Sequence, residues 1–252
     1  MDNRDRTAQT VDFGSATVKQ DSKPALVRGV FESVAGRYDV MNDAMSFGVH
    51  RLWKSAMIDW LAPWSGMRLL DIAGGTGDVA VRFLNRTNDT HAIVLDMTAS
   101  MLNVGRRRAR RAGQTRRLHW VAGDATALPF DDRSFDACTL AFGLRNIARR
   151  EDAIREAWRV LRLGGRFLVL EFSQVPNASL RRLYDAYSWN VIPRLGSMIA
   201  NDRDSYRYLV ESIRQFPDPE RLADMIRTGG FERVRYQRLS LGVVALHSGW
   251  KL

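Results

Sequence analysis

Short apolar runs recur at Met67 to Ile72, His91 to Asp96, Leu118 to Ala122, Phe135 to Leu140 and Arg166 to Glu171, separated by stretches with apolar residues at helical spacing. Runs of this length read as buried strands, and their alternation with helices predicts a parallel sheet covered on both faces. The segment Glu151 to Arg162 illustrates the helical pattern, with Ala153, Ile154, Ala157, Trp158 and Leu161 on one side. Acids open it and arginines close it, in keeping with the helix dipole, and Gly164-Gly165 are expected to stop it before the fifth strand. Ahead of the first strand, Pro24 opens a helix running to Val34 and a second helix spans about Val49 to Leu61. Residues 24–64 are thus expected to form a helical cover. Downstream, residues from about 176 to 214 form an aromatic-rich helical insertion on the substrate side, and Pro219 to Thr228 another helix. Glu232 to Leu239 and Val243 to His247 flank a Gly242 turn as an antiparallel pair. The expected architecture is a doubly wound α/β fold with a mostly parallel seven-stranded, Rossmann-like sheet and an antiparallel C-terminal hairpin. Residues 1–23 are polar and lack periodicity, so they are expected to be a flexible tail before a single domain over 24–252.

One junction carries chemistry. Asp71-Ile72-Ala73-Gly74-Gly75-Thr76-Gly77-Asp78 joins the first strand to a glycine turn, and Val79, Ala80, Phe83 and Leu84 continue at helical spacing. Glycines there let backbone approach a ligand closely. Gly75 to Ala80 also fits the dinucleotide fingerprint, so a nicotinamide or flavin reading competes. Asp71 discriminates between them. It lies where a dinucleotide would place its pyrophosphate, which a carboxylate repels, whereas it suits a cofactor presenting an ammonium group, such as S-adenosylmethionine. Asp96 ends the second strand about twenty residues past the glycines, the usual distance of a ribose-hydroxyl acceptor. Asp124 follows the third strand, where its carboxylate and the Ala125 amide are expected to meet an adenine. Each acid alone could be a turn or helix cap, since Asp is common at both. Three in order after three successive strands argue for an adenosyl site comprising Asp71, Gly74, Gly75, Thr76, Gly77, Asp96, Met97, Asp124, Ala125 and Ala141.

Composition narrows the classes. The chain has 252 residues, 45% hydrophobic content and one cysteine. That supports a sizeable core and excludes an internal disulfide. Cys138 sits in an apolar strand and reads as an inert buried residue. No run is long enough for a membrane span and no signal peptide is expected, so a cytoplasmic location is. The histidines His50, His91, His119 and His247 are scattered without ligand spacing, so no metal is expected. The net charge of +10 raises nucleic acid and anionic membrane as partners. Its densest source is Arg106, Arg107, Arg108, Arg110, Arg111, Arg116 and Arg117, around a helix whose apolar positions are Met101, Leu102, Ala109 and Ala112. A solvated helix face and a contact patch explain that cluster equally well.

From about Val30 to the C-terminus the chain resembles the UbiE/COQ5 (MenG) family of S-adenosylmethionine-dependent C-methyltransferases of ubiquinone and menaquinone biosynthesis. The resemblance is carried by Val34-Ala35-Gly36-Arg37-Tyr38-Asp39-Val40-Met41-Asn42-Asp43, Ser46-Phe47-Gly48-Val49-His50-Arg51-Leu52-Trp53, the glycine turn, Phe142-Gly143-Leu144-Arg145-Asn146 and Leu170-Glu171-Phe172-Ser173. It continues through Tyr184 to Ser188, Asn201 to Leu209 and Gly242 to His247. The glycine turn is common to many methyltransferases, while the other segments are specific to the family. The resemblance implies the class I methyltransferase fold, S-adenosylmethionine as donor, and methylation of a ring carbon of a 2-methoxy-6-polyprenyl-1,4-benzoquinol, a demethylmenaquinol or both. It also favours peripheral attachment to the inner face of the cytoplasmic membrane, and leaves room for contacts with a quinone-biosynthesis assembly and a second copy of the chain.

Such a reaction needs a positioned, desolvated and deprotonated acceptor and no covalent nucleophile. The resemblance implies that Arg145, through a water held by Asn146, assists loss of the acceptor's hydroxyl proton. Because a guanidinium stays protonated, lowering the hydroxyl pKa and stabilising the phenolate is its more defensible role. A salt-bridge role is the bland reading of Arg145. His50 is an alternative direct base by its near-neutral pKa. Tyr38, with Asp39, Tyr184, Tyr187, Asn201, Asp202 and Tyr206, is a further pocket candidate. Two departures from the family pattern are mild: Ala141 replaces a common serine, leaving only backbone contact there, and Thr98 replaces a frequent asparagine. A nucleic-acid methyltransferase is the competing enzyme reading. It would carry an Asn/Asp-Pro-Pro-aromatic run after the fourth strand or a cysteine nucleophile beside proline, and this chain has Ala-Phe-Gly-Leu and neither. A non-catalytic subunit of a quinone-synthesis assembly is the other alternative, and the retained acids together with Phe142 to Asn146 argue against it.

Overall fold

The structure is a computed structural model that describes residues 10–34, 42–43, 46, 48–177, 182 and 203–252. Its centre is a seven-stranded sheet in the order β5-β4-β3-β6-β7-β9-β8. The strands are β3 (Arg68–Ile72), β4 (His91–Asp96), β5 (Leu118–Ala122), β6 (Phe135–Ala141), β7 (Leu161–Phe172), β8 (Glu232–Leu239) and β9 (Val244–Trp250). The first five are mutually parallel, and β9 runs antiparallel between β7 and β8. Alternate residues of each strand feed the two faces: Leu69, Val94, Leu168 and Leu170 enter one core, and Leu70, Leu95, Phe167 and Val169 the other. The first core is covered by α2 (His50–Leu61), α3 (Asp78–Leu84) and α4 (Ala99–Arg111), the second by α5 (Arg150–Val160) and α7 (Pro219–Thr228). The strand order reverses between β3 and β6, so a crevice opens at their carboxyl ends, the usual ligand position of such sheets.

Three expectations are corrected. Residues 10–22, expected within a flexible tail, carry a hairpin of β1 (Thr10–Phe13) and β2 (Ala16–Lys19) followed by a 3-10 turn. The hairpin is anchored by tertiary contacts that lack a local pattern: Phe13 stacks on Tyr208 with ring centroids 4.4 Å apart, and the Ser15 amide donates to Glu211. The fifth helix ends at Val160 and β7 begins at once, so Gly164-Gly165 lie inside the strand. A distant cation performs the stop, because Lys251 Nζ donates to the carbonyls of Trp158, Arg159 and Leu161. Finally, Ala112 caps α4 in an exposed position, and Gly105 takes its expected place in the buried stripe.

α1 (Lys23–Val34) lies across the crevice and packs on α4. The expected helical insertion is described only at Arg182 and from α6 (Arg203–Arg214) onward; the rest of it lies outside the described residues.

Candidate active site

The turn after β3 is held by its own backbone. Gly74 N donates to Leu95 O on β4, and Gly77 N donates to Gly74 O. Gly75 and Gly77 take positive φ values of 56° and 75°, and a Cβ on Gly77 would stand 2.5 Å from the Trp120 ring. Ala73 and Phe142, each just past the end of its strand, also take left-handed conformations, with φ of 52° and 58°. Non-glycine residues hold such conformations at a cost of about 1 kcal/mol or more, and they cluster at ligand sites. Gly143 seats these two strand ends together, since a Cβ there would be 2.7 Å from that of Ala73.

The three acids behave differently. Asp71 is fully buried; its Oδ1 accepts from Thr139 Oγ1 at 2.8 Å, while its Oδ2 has no partner. Oδ2 faces the glycine turn, where a Cβ on Gly74 would lie only 2.6 Å away. Burial outweighs the Thr139 hydrogen bond, the charge of Lys54 and the Ala80 backbone amide, raising the Asp71 pKa to about 7. Asp96 accepts from Gly75 N at 2.9 Å and Thr98 N at 2.8 Å, and burial raises its pKa despite both amides. Asp124 accepts from Thr126 N at 2.8 Å, the turn-capping role open to any Asp. Both of these acids also line a cavity of about 300 Å³ with Gly75, Met97, Met101 and Ala125. α1 contributes Pro24, Val27 and Phe31 to the lining. Asp71, Gly74, Thr76 and Gly77 lie behind this lining, and Ala141 is half-buried at the end of β6, paired in register with Leu170.

At the same sheet edge, Asn146 lines the cavity and its Oδ1 accepts from Tyr208 Oη at 3.0 Å. Arg145 is buried: its Nη1 meets Glu171 Oε1 at 2.7 Å and donates to Phe142 O, while its Nε has no partner. The guanidinium sits 5.5 Å from the Phe172 ring centre, and Phe172, Phe142 and Trp53 form an aromatic group with centroid spacings of 4.9–6.2 Å. His50 Nε2 lies 2.9 Å from Asp43 Oδ1, so Nε2 donates and the buried Nδ1 keeps an unpartnered lone pair. Burial, then the charge of Lys54, lowers its pKa, so the imidazole is neutral at pH 7. Tyr38, Asp39, Tyr184, Tyr187, Asn201 and Asp202 lie outside the described residues, as does the side chain of Tyr206.

A profile of the ubiE/COQ5 methyltransferase family matches residues 17–251. The chain belongs to the ubiE/COQ5 methyltransferase family. Among similar proteins, the ubiquinone/menaquinone biosynthesis C-methyltransferase UbiE of Dinoroseobacter shibae is 60% identical, over 98% of each chain. That of Paracoccus denitrificans is 62% identical over 95% of this chain and 96% of its own. The mitochondrial 2-methoxy-6-polyprenyl-1,4-benzoquinol methylase of Danio rerio is 50% identical over 95% and 84%. Among solved structures, a Thermotoga maritima S-adenosylmethionine-dependent methyltransferase superposes with a TM-score of 0.61 at 21% identity, over 89% of this chain and 99% of that one. The fold is therefore the class I methyltransferase fold, and membership of the family makes S-adenosylmethionine the methyl donor. The described residues fit such a donor: an unpartnered buried carboxylate oxygen beside the glycine turn suits an ammonium group, and the cavity beyond it is lined by two further acids.

Glu171, Tyr208, Lys54 and Gly105 also hold this part of the structure together. Glu171 was detectable in principle as an acid ending a buried strand, which demands a counter-ion. Lys54 bonds Asp78 at 3.0 Å. Burial acts to raise Asp78, but Lys54 and Arg82 outweigh it and hold its pKa low. Gly105 lets α4 approach the turn, since a Cβ there would stand 2.2 Å from the Trp120 ring and 2.8 Å from Thr76 O.

Proposed function

We propose that this methyltransferase acts on a ring carbon of a polyprenylated quinol, either a 2-methoxy-6-polyprenyl-1,4-benzoquinol, a demethylmenaquinol, or both. The observation that carries the reading is the buried Arg145 guanidinium beside the aromatic rings of Phe142 and Phe172, next in sequence to Asn146, which lines the donor cavity with Phe142. The printed names of the relatives support the same acceptor class. In this reading Asp71 takes the donor's ammonium, Asp96 its ribose, and Asp124 with the Ala125 amide its adenine beside Met97. Gly74, Gly75, Thr76 and Gly77 shape the turn, and Ala141 offers only backbone. The bound donor supplies a methyl group on a cationic sulfur.

The chain's own residues prepare the acceptor. Glu171 fixes Arg145, whose permanent positive charge lowers the acceptor hydroxyl's pKa and stabilises the phenolate that makes the ring carbon electron-rich. Tyr208 occupies the Asn146 carbonyl oxygen and leaves the amide nitrogen to hold a water or the hydroxyl itself. His50, neutral and with a free Nδ1, is the alternative proton acceptor, and Tyr38 a further wall of the pocket. An acceptor with a lipid tail places the enzyme at the inner face of the cytoplasmic membrane; contacts with other quinone-forming enzymes and self-association belong to the same reading.

The test uses purified chain, labelled S-adenosylmethionine and a chemically reduced short-tailed quinol of each ring class, alongside quinone profiling of a deletion strain. Label in a ring methyl and accumulation of the matching demethyl quinone are expected. Label in RNA with none in the quinol would overturn the assignment in favour of nucleic acid.

A further inference from the structure

The catalytic edge carries two apolar tips. Leu52, in the first turn of α2, is 69% exposed, and Leu241, in the turn between β8 and β9, is 75% exposed. They project from neighbouring points, because Trp53 Nε1 donates to Ser240 Oγ at 2.8 Å. The β8–β9 turn belongs to this edge by register, since Leu239 pairs with Val244, which pairs with Phe172 beside the Arg145 guanidinium. Its backbone is unusual: Ser240 and Leu241 both take positive φ, at 48° and 59°. A leucine held in a left-handed conformation with its side chain in water gains neither packing nor local stability. Such strain points to a role outside the folded core. Cations flank the tips. The stem of Arg238 passes the same turn and its guanidinium lies over the Tyr236 ring, 5.3 Å from its centre, and Arg51, paired with the half-exposed Asp43, follows His50.

The arginine-rich part of α4 lies elsewhere. α4 starts after the carboxyl end of β4 and returns to the start of β5, so Arg107, Arg110, Arg111 and Arg116 sit at the opposite edge of the sheet. The edges are separated by a strand length, roughly 15–20 Å. That exceeds the screening length of about 8 Å at physiological salt.

We propose that Leu52 and Leu241 dip into the headgroup region of an anionic lipid bilayer, with Arg238 and Arg51 against lipid phosphates, so that the catalytic edge faces the membrane. The proposal rests on the polyprenyl acceptor reading, since an acceptor with a lipid tail must reach this edge from the bilayer. Apolar tips with flanking cations are the chemistry of an interfacial contact. The α4 arginines face away from it.

The experiment is co-sedimentation with phosphatidylcholine vesicles with and without phosphatidylglycerol. The variants are Leu52→Gln with Leu241→Asn, Arg51→Gln with Arg238→Gln, and Arg107→Gln with Arg110→Gln and Arg111→Gln. Asn tolerates the left-handed conformation, so Leu241→Asn should keep or raise the melting temperature. The leucine pair is expected to weaken vesicle binding roughly tenfold or more. It should slow turnover of a long-tailed quinol in vesicles and leave turnover of a water-soluble short-tailed quinol unchanged. The Arg51 and Arg238 changes should remove the preference for phosphatidylglycerol, and the α4 changes should leave binding near that of the native chain. Native protein that ignores vesicles, or a leucine variant that binds as well as native, overturns the proposal, as does loss of binding confined to the α4 variant. Loss of short-tailed turnover in the leucine variant would also overturn it, by placing the leucines inside the catalytic pocket. Leucine-dependent vesicle binding without methylation of any quinol would instead sink the acceptor assignment and leave the membrane contact standing.

Discussion

Asp71→Asn separates the charge of the proposed ammonium site from its shape. The amide keeps an acceptor for the Thr139 hydroxyl, 2.8 Å away, and removes the ionisable oxygen facing Gly74. In the folded protein the carboxyl titrates at about 7 against an ordinary value of 3.8. A folded pKa above the unfolded one means the native state holds an extra proton between the two values. The stability of the donor-free protein should therefore fall as pH rises from 4 towards 7 and level off above it. At 1.36 kcal/mol per unit, the full effect is up to about 4 kcal/mol. Asp71→Asn should remove this loss, melting higher than native at pH 8 and about equally at pH 4. Donor binding should show the opposite slope, because an ammonium prefers the ionised carboxylate. At pH 5.5 only about 3% of Asp71 would be ionised, weakening binding about thirtyfold relative to pH 8. Calorimetric titration of both proteins with S-adenosylmethionine from pH 5.5 to 8 isolates the residue, since the donor's own amine titrates identically in each. The reasoning is refuted if both proteins share one pH slope, or if Asp71→Asn melts lower than native at pH 8.

Three further outcomes follow from the packing. Gly105→Ala should lower stability by about 1–3 kcal/mol through overlap with Trp120 and Thr76 O, even though alanine gains up to about 1 kcal/mol of helix propensity; a raised melting temperature would contradict the close approach of α4. Lys251→Met removes the charged donor to three carbonyls ending α5 and should cost about 2–3 kcal/mol, seen as a lower denaturant midpoint with donor affinity unchanged. Arg145→Met and Glu171→Met should each destabilise by about 3–5 kcal/mol by leaving a buried charge unpaired, and the double variant by clearly less than their sum; additive losses in a double-mutant cycle would mean the pair is not coupled.

The candidates for the donor side could be picked out because they are close in sequence. A strand, a glycine turn and a helix start follow within about a dozen residues, and each acid stands at the end of its own apolar run. The candidate acceptor side is assembled from afar: Arg145 meets Glu171 across 26 residues, Asn146 meets Tyr208 across 62, and Trp53 meets Ser240 across 187. Periodicity announces the elements but not which of their side chains meet. The same limit explains the hairpin at residues 10–19, which is fixed by Phe13 against Tyr208, and the end of α5, fixed by Lys251 from the last residues of the chain. The glycine pair at 164 and 165 looked like a helix stop because the cation that does the stopping lies nearly 90 residues downstream.

For Asp96 and Asp124 the bland and the functional readings of a carboxylate are compatible. Asp96 and Asp124 do cap turns, through Gly75 and Thr98 in one case and Thr126 in the other, and both still line the cavity. A carboxylate has about four lone-pair sites, so one or two amides fix its direction and leave acceptor capacity for a ligand hydroxyl or amine. The turn bonds hold these acids in place before the ligand arrives, which lowers the ordering cost of binding. Asp71 differs in kind. One oxygen is satisfied by Thr139 and the other, buried and facing the glycine turn, has no partner in good hydrogen-bond geometry, so burial outweighs what the Thr139 hydroxyl, Lys54 and the Ala80 amide return. A cation placed there would relieve that penalty and gain the carboxylate's charge at once, whereas a diphosphate would deepen it. The electrostatics of one buried atom thus distinguish an ammonium-bearing donor from a dinucleotide at a turn whose glycines alone admit both.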